Sequence, residues 1–194
     1  MSKKSKTDQN KKPDLWDVRK QALEEILGPS MGIVFHSAIP LVLGGLADVL
    51  PFRHFVKGYS YVTADLTGGE SGQLPNSLGN YELMMCVKKN LPLAAKLVSQ
   101  LGKHSMTNCL DAGETMSIGS YFADKTIRAL IFCHVSETPA VFKLSRKRCG
   151  LLLCIGITES ELAFKTRHGS AALLAKLKDT HVFPYTKPNR DSIV

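Results

Sequence analysis

Several features are scarce in this 194-residue sequence, and each absence excludes a class of protein. No apolar run approaches the ~18 residues that a membrane-spanning helix needs, so we expect no membrane segment. The five cysteines are odd in number and form neither a CxxC pair nor the spacing of a zinc module, which argues against a disulfide framework and a zinc finger. The N-terminus has no apolar stretch behind its lysines, so it does not read as a secretory signal, and we expect a cytoplasmic protein.

Positive charge is concentrated at the N-terminus. The formal net charge is +8, and residues 1–13 contain five lysines against Asp8, which accounts for half of that charge. We predict that residues 1–13 form a disordered basic tail and that residues 14–194 form one α+β domain. A chain of this length buries roughly 70% of the surface of its unfolded form, so it needs no disulfide or metal to fold.

Capping residues and helical periodicity predict four helices. A first helix begins after the capping side chain of Asp14 and runs to about Leu27, and a second spans residues 90–102. The sequence "TESE" at 158–161 fits a capping box at the start of a third helix, in which the hydroxyl and the second carboxylate each satisfy a backbone donor. Gly169 ends that helix, and Ala171–Leu177 forms the last one.

Alternating and continuous apolar runs predict the strands, separated by Gly, Pro and Asn turns. Within "HSAIPLVLGGLADVLPF", residues 36–52, we expect a strand, a tight turn at Gly44 and Gly45, and a returning strand. A phosphate cradle is disfavoured here because neither a helix start nor a lysine or hydroxyl follows Gly45. The predicted strands span residues 33–40, 47–52, 59–66, 80–87, 115–121, 126–135 and 149–157.

Six segments, in this order, resemble the suppressor of fused family, and together they cover most of residues 14–194. They are "LVLGGLADVLPF", "GNYELMMCV" followed by "LPLAAKLVSQLGKHS", then "GLLLCIGITESELAF", "HGSAALLAKLKD" and "PYTKPNRDSIV". The resemblance implies a curved, mostly antiparallel sheet flanked by helices, as in the wider SUKH superfamily. It also implies a non-enzymatic protein-binding module without a cofactor, in the manner of bacterial immunity or antitoxin-like proteins that block a toxin or another regulatory partner.

Five residues are the candidates for contacting such a partner protein. Tyr61 and Tyr81 lie on strands where they share a face with alternate neighbours, and aromatic side chains dominate interface energetics when they are buried by a partner. Asp48, Glu82 and Arg190 would add charged contacts beside them. Alternatively, these charged residues contact each other within the domain, since Arg190 could form an ordinary ion pair with Asp48 or Glu82.

Two other classes of function stay open. Nucleic-acid binding could use the basic tail and the "SRKR" turn at residues 145–148. A metal-dependent enzyme could use His36, Asp48 and His54, either as metal ligands or as a base with its orienting carboxylate.

Three other pairs of reactive side chains are candidates for catalysis or metal binding. Cys133 and His134 are adjacent on a strand and point to opposite faces, and so do Cys149 and Cys154, five residues apart. The carboxylates Asp65 and Glu82 could act as an acid and base pair only if their strands abut.

Overall fold

A computed structural model describes residues 14–68, 72–123, 126–135, 141–144 and 147–194. The expected basic tail, residues 1–13, lies outside the described residues, so its disorder stays a prediction. The helices are α1 (Leu15–Leu27), α2 (Pro92–His104), α3 (Glu159–His168) and α4 (Ser170–Asp179). The strands are β1 (Val49–Phe52), β2 (Tyr59–Thr63), β3 (Asn80–Val87), β4 (Thr115–Ser117), β5 (Ile127–His134), β6 (Val141–Leu144) and β7 (Lys147–Thr158).

The strands form one mixed sheet in the order β1-β2-β3-β7-β5-β4, with β6 also paired to β7. The contact between β3 and β7 is parallel, and the other described pairs are antiparallel. β7 is the apolar strand at the centre, and its residues 151–157 are all buried. The expected α+β fold with a curved, mostly antiparallel sheet is therefore confirmed.

Both faces of the sheet are covered, which produces two cores. Leu23 and Leu27 of α1 and Leu173 and Leu177 of α4 pack against one face. The apolar side of α2 covers the other face, together with Tyr61 and the buried alternate residues of β3 and β5. Because side chains alternate along a strand, the central strands contribute to both cores and are apolar at nearly every position.

The predicted helix caps are confirmed at α1 and α3. The side chain of Asp14 accepts a hydrogen bond from the amide of Trp16 at 3.3 Å. Thr158 and Glu161 form the predicted capping box, in which the Glu161 carboxylate accepts from the Thr158 amide at 2.9 Å. Gly169, at φ 85°, separates α3 from α4, as expected.

The segment before β1 differs from the prediction. No strand spans residues 33–40; Phe35 makes only an isolated bridge to Val49, and Leu41–Leu43 form one turn of 3-10 helix. The expected hairpin is therefore wrong. Pro40 has no amide hydrogen to donate to a ladder, and its carbonyl instead accepts a hydrogen bond from the Gly45 amide at 3.0 Å.

The second helix also differs, since it begins at Pro92 and continues past Gly102 to His104. Gly102 does not end the helix. A Cβ at this position would lie 2.5 Å from the Cβ of Ala47, so the glycine allows the helix to pack closely on the chain before β1.

Of the five cysteines, Cys86, Cys133, Cys149 and Cys154 are buried and Cys109 is exposed. Cys149 and Cys154 belong to different cores, as their spacing predicts. Within the described ranges, no helix combines the length and apolar character needed to cross a membrane.

Candidate functional site

The chain that leads into β1 exposes more large apolar side chains than any comparable stretch of the described residues. It follows the free side of β1 through two isolated bridges, at Ser30 and Phe35, and then turns outward. Three of its side chains form what we call the apolar tip: Ile39, Val42 and Leu43 are 54%, 75% and 73% exposed. Exposed apolar side chains that are grouped in this way are typical of surfaces that bind another molecule.

Two glycines shape the tip, by different means. Gly44 adopts φ 84°, a left-handed conformation that ends the 3-10 turn and lets its amide donate to the carbonyl of Leu41 at 2.9 Å. Gly45 is required by contact instead, because a Cβ there would lie 1.6 Å from the carbonyl oxygen of Ile39. The double glycine is therefore structural, and its chief effect is to project Val42 and Leu43 into solvent.

Asp48 fastens the base of the tip. Its carboxylate accepts a hydrogen bond from the Ser37 amide at 3.0 Å and lies 2.8 Å from Nδ1 of His36. The Ser37 hydroxyl in turn accepts the Leu46 amide at 3.1 Å. Asp48 is 22% exposed and the His36 side chain 65%, so these two polar groups stand at the surface beside the apolar residues.

A shallow cleft of about 530 Å³ lies between the tip and the end of α2. Leu41 and Gly44 line it on one side, and Lys103, His104 and Met106 line it on the other. The ammonium group of Lys103 donates to the Gly44 carbonyl at 2.6 Å, which ties the tip to the helix. The surface therefore combines exposed apolar side chains, a partly apolar depression and polar groups at its border.

Beneath Asp48 lies a pair of carboxyl groups, those of the partly buried Asp65 and of Glu82. Glu82 lies on β3, and Asp65 follows the end of the neighbouring strand β2. Glu82 is fully buried and accepts hydrogen bonds from the hydroxyls of Thr63 at 2.6 Å and Thr67 at 2.7 Å. It also accepts the Thr67 amide at 2.9 Å. These bonds draw the chain away from the sheet after Thr63, which explains why β2 ends there and not at residue 66.

Burial raises the pKa of both carboxyl groups. Burial raises the pKa of Asp65 to about 7, with a further rise from the nearby Glu82. Burial likewise raises the pKa of Glu82, against the hydrogen bonds from Thr63 and Thr67. Arg19 counteracts both shifts, and its guanidinium is held by the Thr67 carbonyl at 2.5 Å. Asp65 also connects the buried Glu82 region to the surface, because its Oδ2 accepts a hydrogen bond from the Asp48 amide at 3.2 Å.

The other sequence candidates take internal positions. Tyr61 and Tyr81 are fully buried, and their hydroxyls accept the amides of Leu91 and Leu110, both at 3.1 Å. Arg190 is mostly buried.

Arg190 pairs with neither of the acids suggested by the sequence. It forms an ion pair with Glu161, whose Oε2 accepts from the guanidinium at 2.5 Å, so the expected pairing with Asp48 or Glu82 is wrong. Of the five candidates, only Asp48 is available to a partner in this conformation, and a partner-binding role for the set stays a prediction.

The structure does not assemble the proposed metal trio. His36 and Asp48 meet as a base and its orienting carboxylate would, but the described residues contain no group of three His, Cys, Asp or Glu side chains that could hold a metal ion. Cys133 is buried while the adjacent His134 is exposed on the other face, which excludes a direct contact of the two as nucleophile and base.

The basic "SRKR" turn lies largely outside the described residues.

Sequence reasoning missed the apolar tip, because "PLVL" has the composition of a strand. The signal that could have revealed it is Pro40, which cannot donate to a ladder, followed by two glycines only four residues later. It also missed Arg19, whose partners lie more than forty residues away in the chain.

Comparisons with known proteins agree on the fold. A solved SUFU (suppressor of fused protein) homolog from Neisseria gonorrhoeae is 19% identical, with a TM-score of 0.68, over 93% of this chain and 97% of that one. The structure of a Sufu–Fu complex contains a chain that is 14% identical, with a TM-score of 0.71, over 92% and 90%.

Suppressor of Fused from Drosophila is 13% identical, with a TM-score of 0.68, and this chain spans only half of its length. No curated protein sequence matches this chain. The family model for "Suppressor of fused protein (SUFU)" matches residues 48–191, about three quarters of the chain, and we conclude that this chain belongs to the suppressor of fused family.

Proposed function

We propose that this protein is a non-enzymatic binding module for another protein, and that the apolar tip with Asp48 forms part of the contact surface. Membership of the suppressor of fused family supports a binding role, and one structure of similar fold is that of a Sufu–Fu complex. The observation that carries the proposal is the exposure of Ile39, Val42 and Leu43 on one short turn.

The energetics of the tip fit a contact surface. Burial of a Val or Leu side chain stabilises by about 1.5–3 kcal/mol, so covering Val42 and Leu43 would contribute several kcal/mol to a complex. Interfaces commonly surround such an apolar centre with polar groups that remain near water. Asp48 and His36 occupy that position here, and both are already oriented by their mutual contact at 2.8 Å.

We further propose that the partner is a toxin, which the module would block as an immunity or antitoxin-like protein in the cytoplasm. Binding alone would suffice for this role, because a bound domain that covers a toxin's active site removes access for its substrate. The proposal requires no chemistry from this chain. It is tested by coexpression with each protein encoded next to its gene: at least one of those proteins should arrest growth when produced alone, and this protein should restore it.

The contact surface is tested by comparative capture from lysate of the native host. Leu43→Asp places a charge on a side chain that is 73% exposed, so it should leave the fold intact and abolish recovery of the partner. Val194→Asp is the matched control, because Val194 is 43% exposed and lies near α3, away from the tip. Equal recovery of the partner by Leu43→Asp and the unmodified protein would contradict the proposed surface.

A further inference from the structure

A second groove lies at the opposite end of α2, between the turn after β3 and the segment before the C-terminus. Its volume is about 540 Å³, within the usual range of binding clefts. Val87 and Leu91 line one side and Pro188 the other, so much of its floor is apolar. The two sides are joined firmly, since the Thr186 amide donates to the carbonyl of Cys86 at 2.8 Å.

The groove carries positive charge without a balancing acid. Lys88, Lys89 and Lys187 line it, and the described lining residues include no carboxylate. Lys88 stands over the ring of Tyr185, 3.5 Å from its centroid, which holds one ammonium group in place. Burial lowers the pKa of Lys187, with the neighbouring charges of Lys88 and Arg190 acting in the same direction.

The first turn of α2 adds to this field. Leu91 caps the helix without a side-chain hydrogen bond, and the first turn contains no acidic residue. The helix dipole therefore favours an anion at the same end of the groove that the lysines line. Tyr61 supports the arrangement from below, because its hydroxyl donates to Asn90 at 2.6 Å and accepts the Leu91 amide.

We propose that this groove binds an extended acidic protein segment, in which carboxylate and apolar side chains alternate. The carboxylates would meet the three lysines, and the apolar side chains would cover Leu91 and Pro188, which are partly exposed. Charge complementarity selects the occupant, and the apolar floor favours a peptide over a simple anion or a nucleic-acid backbone. This inference goes beyond the proposed function and does not depend on the apolar tip.

The test is fluorescence anisotropy with a labelled octapeptide of alternating Asp and Val, and with the same peptide carrying Lys in place of Asp. The acidic peptide should bind and the basic one should not. The double variant Lys88→Gln/Lys187→Gln should weaken binding about tenfold or more. Lys176→Gln is the matched control, because Lys176 is also exposed and also stands over an aromatic ring, that of Phe164 at 5.4 Å.

Amide chemical shifts of the unmodified protein supply a readout that needs no variant. The acidic peptide should perturb the signals of residues 87–91, 93, 186, 187 and 189 and leave those of the apolar tip unchanged. The proposal is overturned if the peptide does not bind. It is also overturned if Lys88→Gln/Lys187→Gln binds the peptide as tightly as the control Lys176→Gln does. It is equally overturned if inorganic phosphate displaces the peptide completely, or if a single-stranded oligonucleotide binds these residues more tightly than the peptide.

Discussion

Replacing Asp65 by Asn should stabilise the protein at neutral and alkaline pH, because it removes a charge that the fold disfavours. The Asn side chain keeps an oxygen that can accept the Asp48 amide, as Oδ2 of Asp65 does at 3.2 Å. The other oxygen, Oδ1, is buried and has no hydrogen-bond partner among the described residues. Substitution therefore removes the repulsion from Glu82, and the buried amide group that replaces Oδ1 offsets part of this gain.

The size and pH dependence of the effect follow from the pKa of Asp65. Burial raises this pKa from 3.8 to about 7, which corresponds to about 4 kcal/mol at about 1.4 kcal/mol per pKa unit. Because Asp65 keeps some contact with water, we expect a measured gain of about 2 kcal/mol. Between about pH 4 and 7 the folded protein holds a proton that the unfolded chain has lost, so this contribution to stability falls as pH rises and is fully lost above 7.

Urea unfolding of both proteins at about pH 4 and about pH 8 measures the difference directly. The two free energies of unfolding should nearly coincide at the lower pH, where Asp65 is protonated, and Asp65→Asn should be the more stable protein at the higher pH. A difference that does not change with pH, or a less stable variant at pH 8, would refute the reasoning.

Asp111→Asn is a control of opposite sign. Although burial alone would raise the pKa of Asp111, hydrogen bonds from Ser77 and the Ala112 amide lower it below its usual value. The charged form is therefore favoured in the folded protein, and this stabilisation is lost as pH falls through the folded pKa. Asp111→Asn should accordingly destabilise the protein at about pH 8, where Asp65→Asn stabilises it.

Two further substitutions test packing and a buried ion pair. Gly45→Ala should lower the melting temperature more than Gly44→Ala, since only the former places a methyl group against the Ile39 carbonyl, while Gly44→Ala costs about 1–2 kcal/mol of left-handed strain. Arg190→Met should lower the free energy of unfolding by about 3 kcal/mol, because it leaves the buried Glu161 carboxylate without its cation. Adding Glu161→Gln should recover part of this loss. A double variant that is no more stable than Arg190→Met would contradict the explanation.

Local signals predicted the helices and central strands well, because their causes lie within a few residues. The Asp14 cap, the Thr158–Glu161 capping box and the break at Gly169 each depend on neighbours in the chain. The apolar run of β7 likewise predicted a central strand, since a strand that is covered on both faces has apolar residues at nearly every position.

The same local signals were misleading wherever a distant contact competes with them. Gly102 has the appearance of a helix end, but it lies within α2 because Ala47 packs against it. Residues 33–40 have strand-like composition, yet they form only one isolated bridge, between Phe35 and Val49, since Pro40 interrupts any ladder. The ordered family resemblance correctly indicated the fold because it depends on the whole set of segments and not on any one of them.

Composition, periodicity and caps were thus sufficient for the α+β class, most element positions and the opposite placement of Cys149 and Cys154. These local signals did not predict the exposure of individual side chains. Tyr61, Tyr81 and Glu82 became internal, and Val42 and Leu43 external, through packing between segments that are far apart in the chain. Exposure depends on which surfaces meet after folding, and hydrophobic periodicity indicates only which side of an element is apolar, not what will cover it.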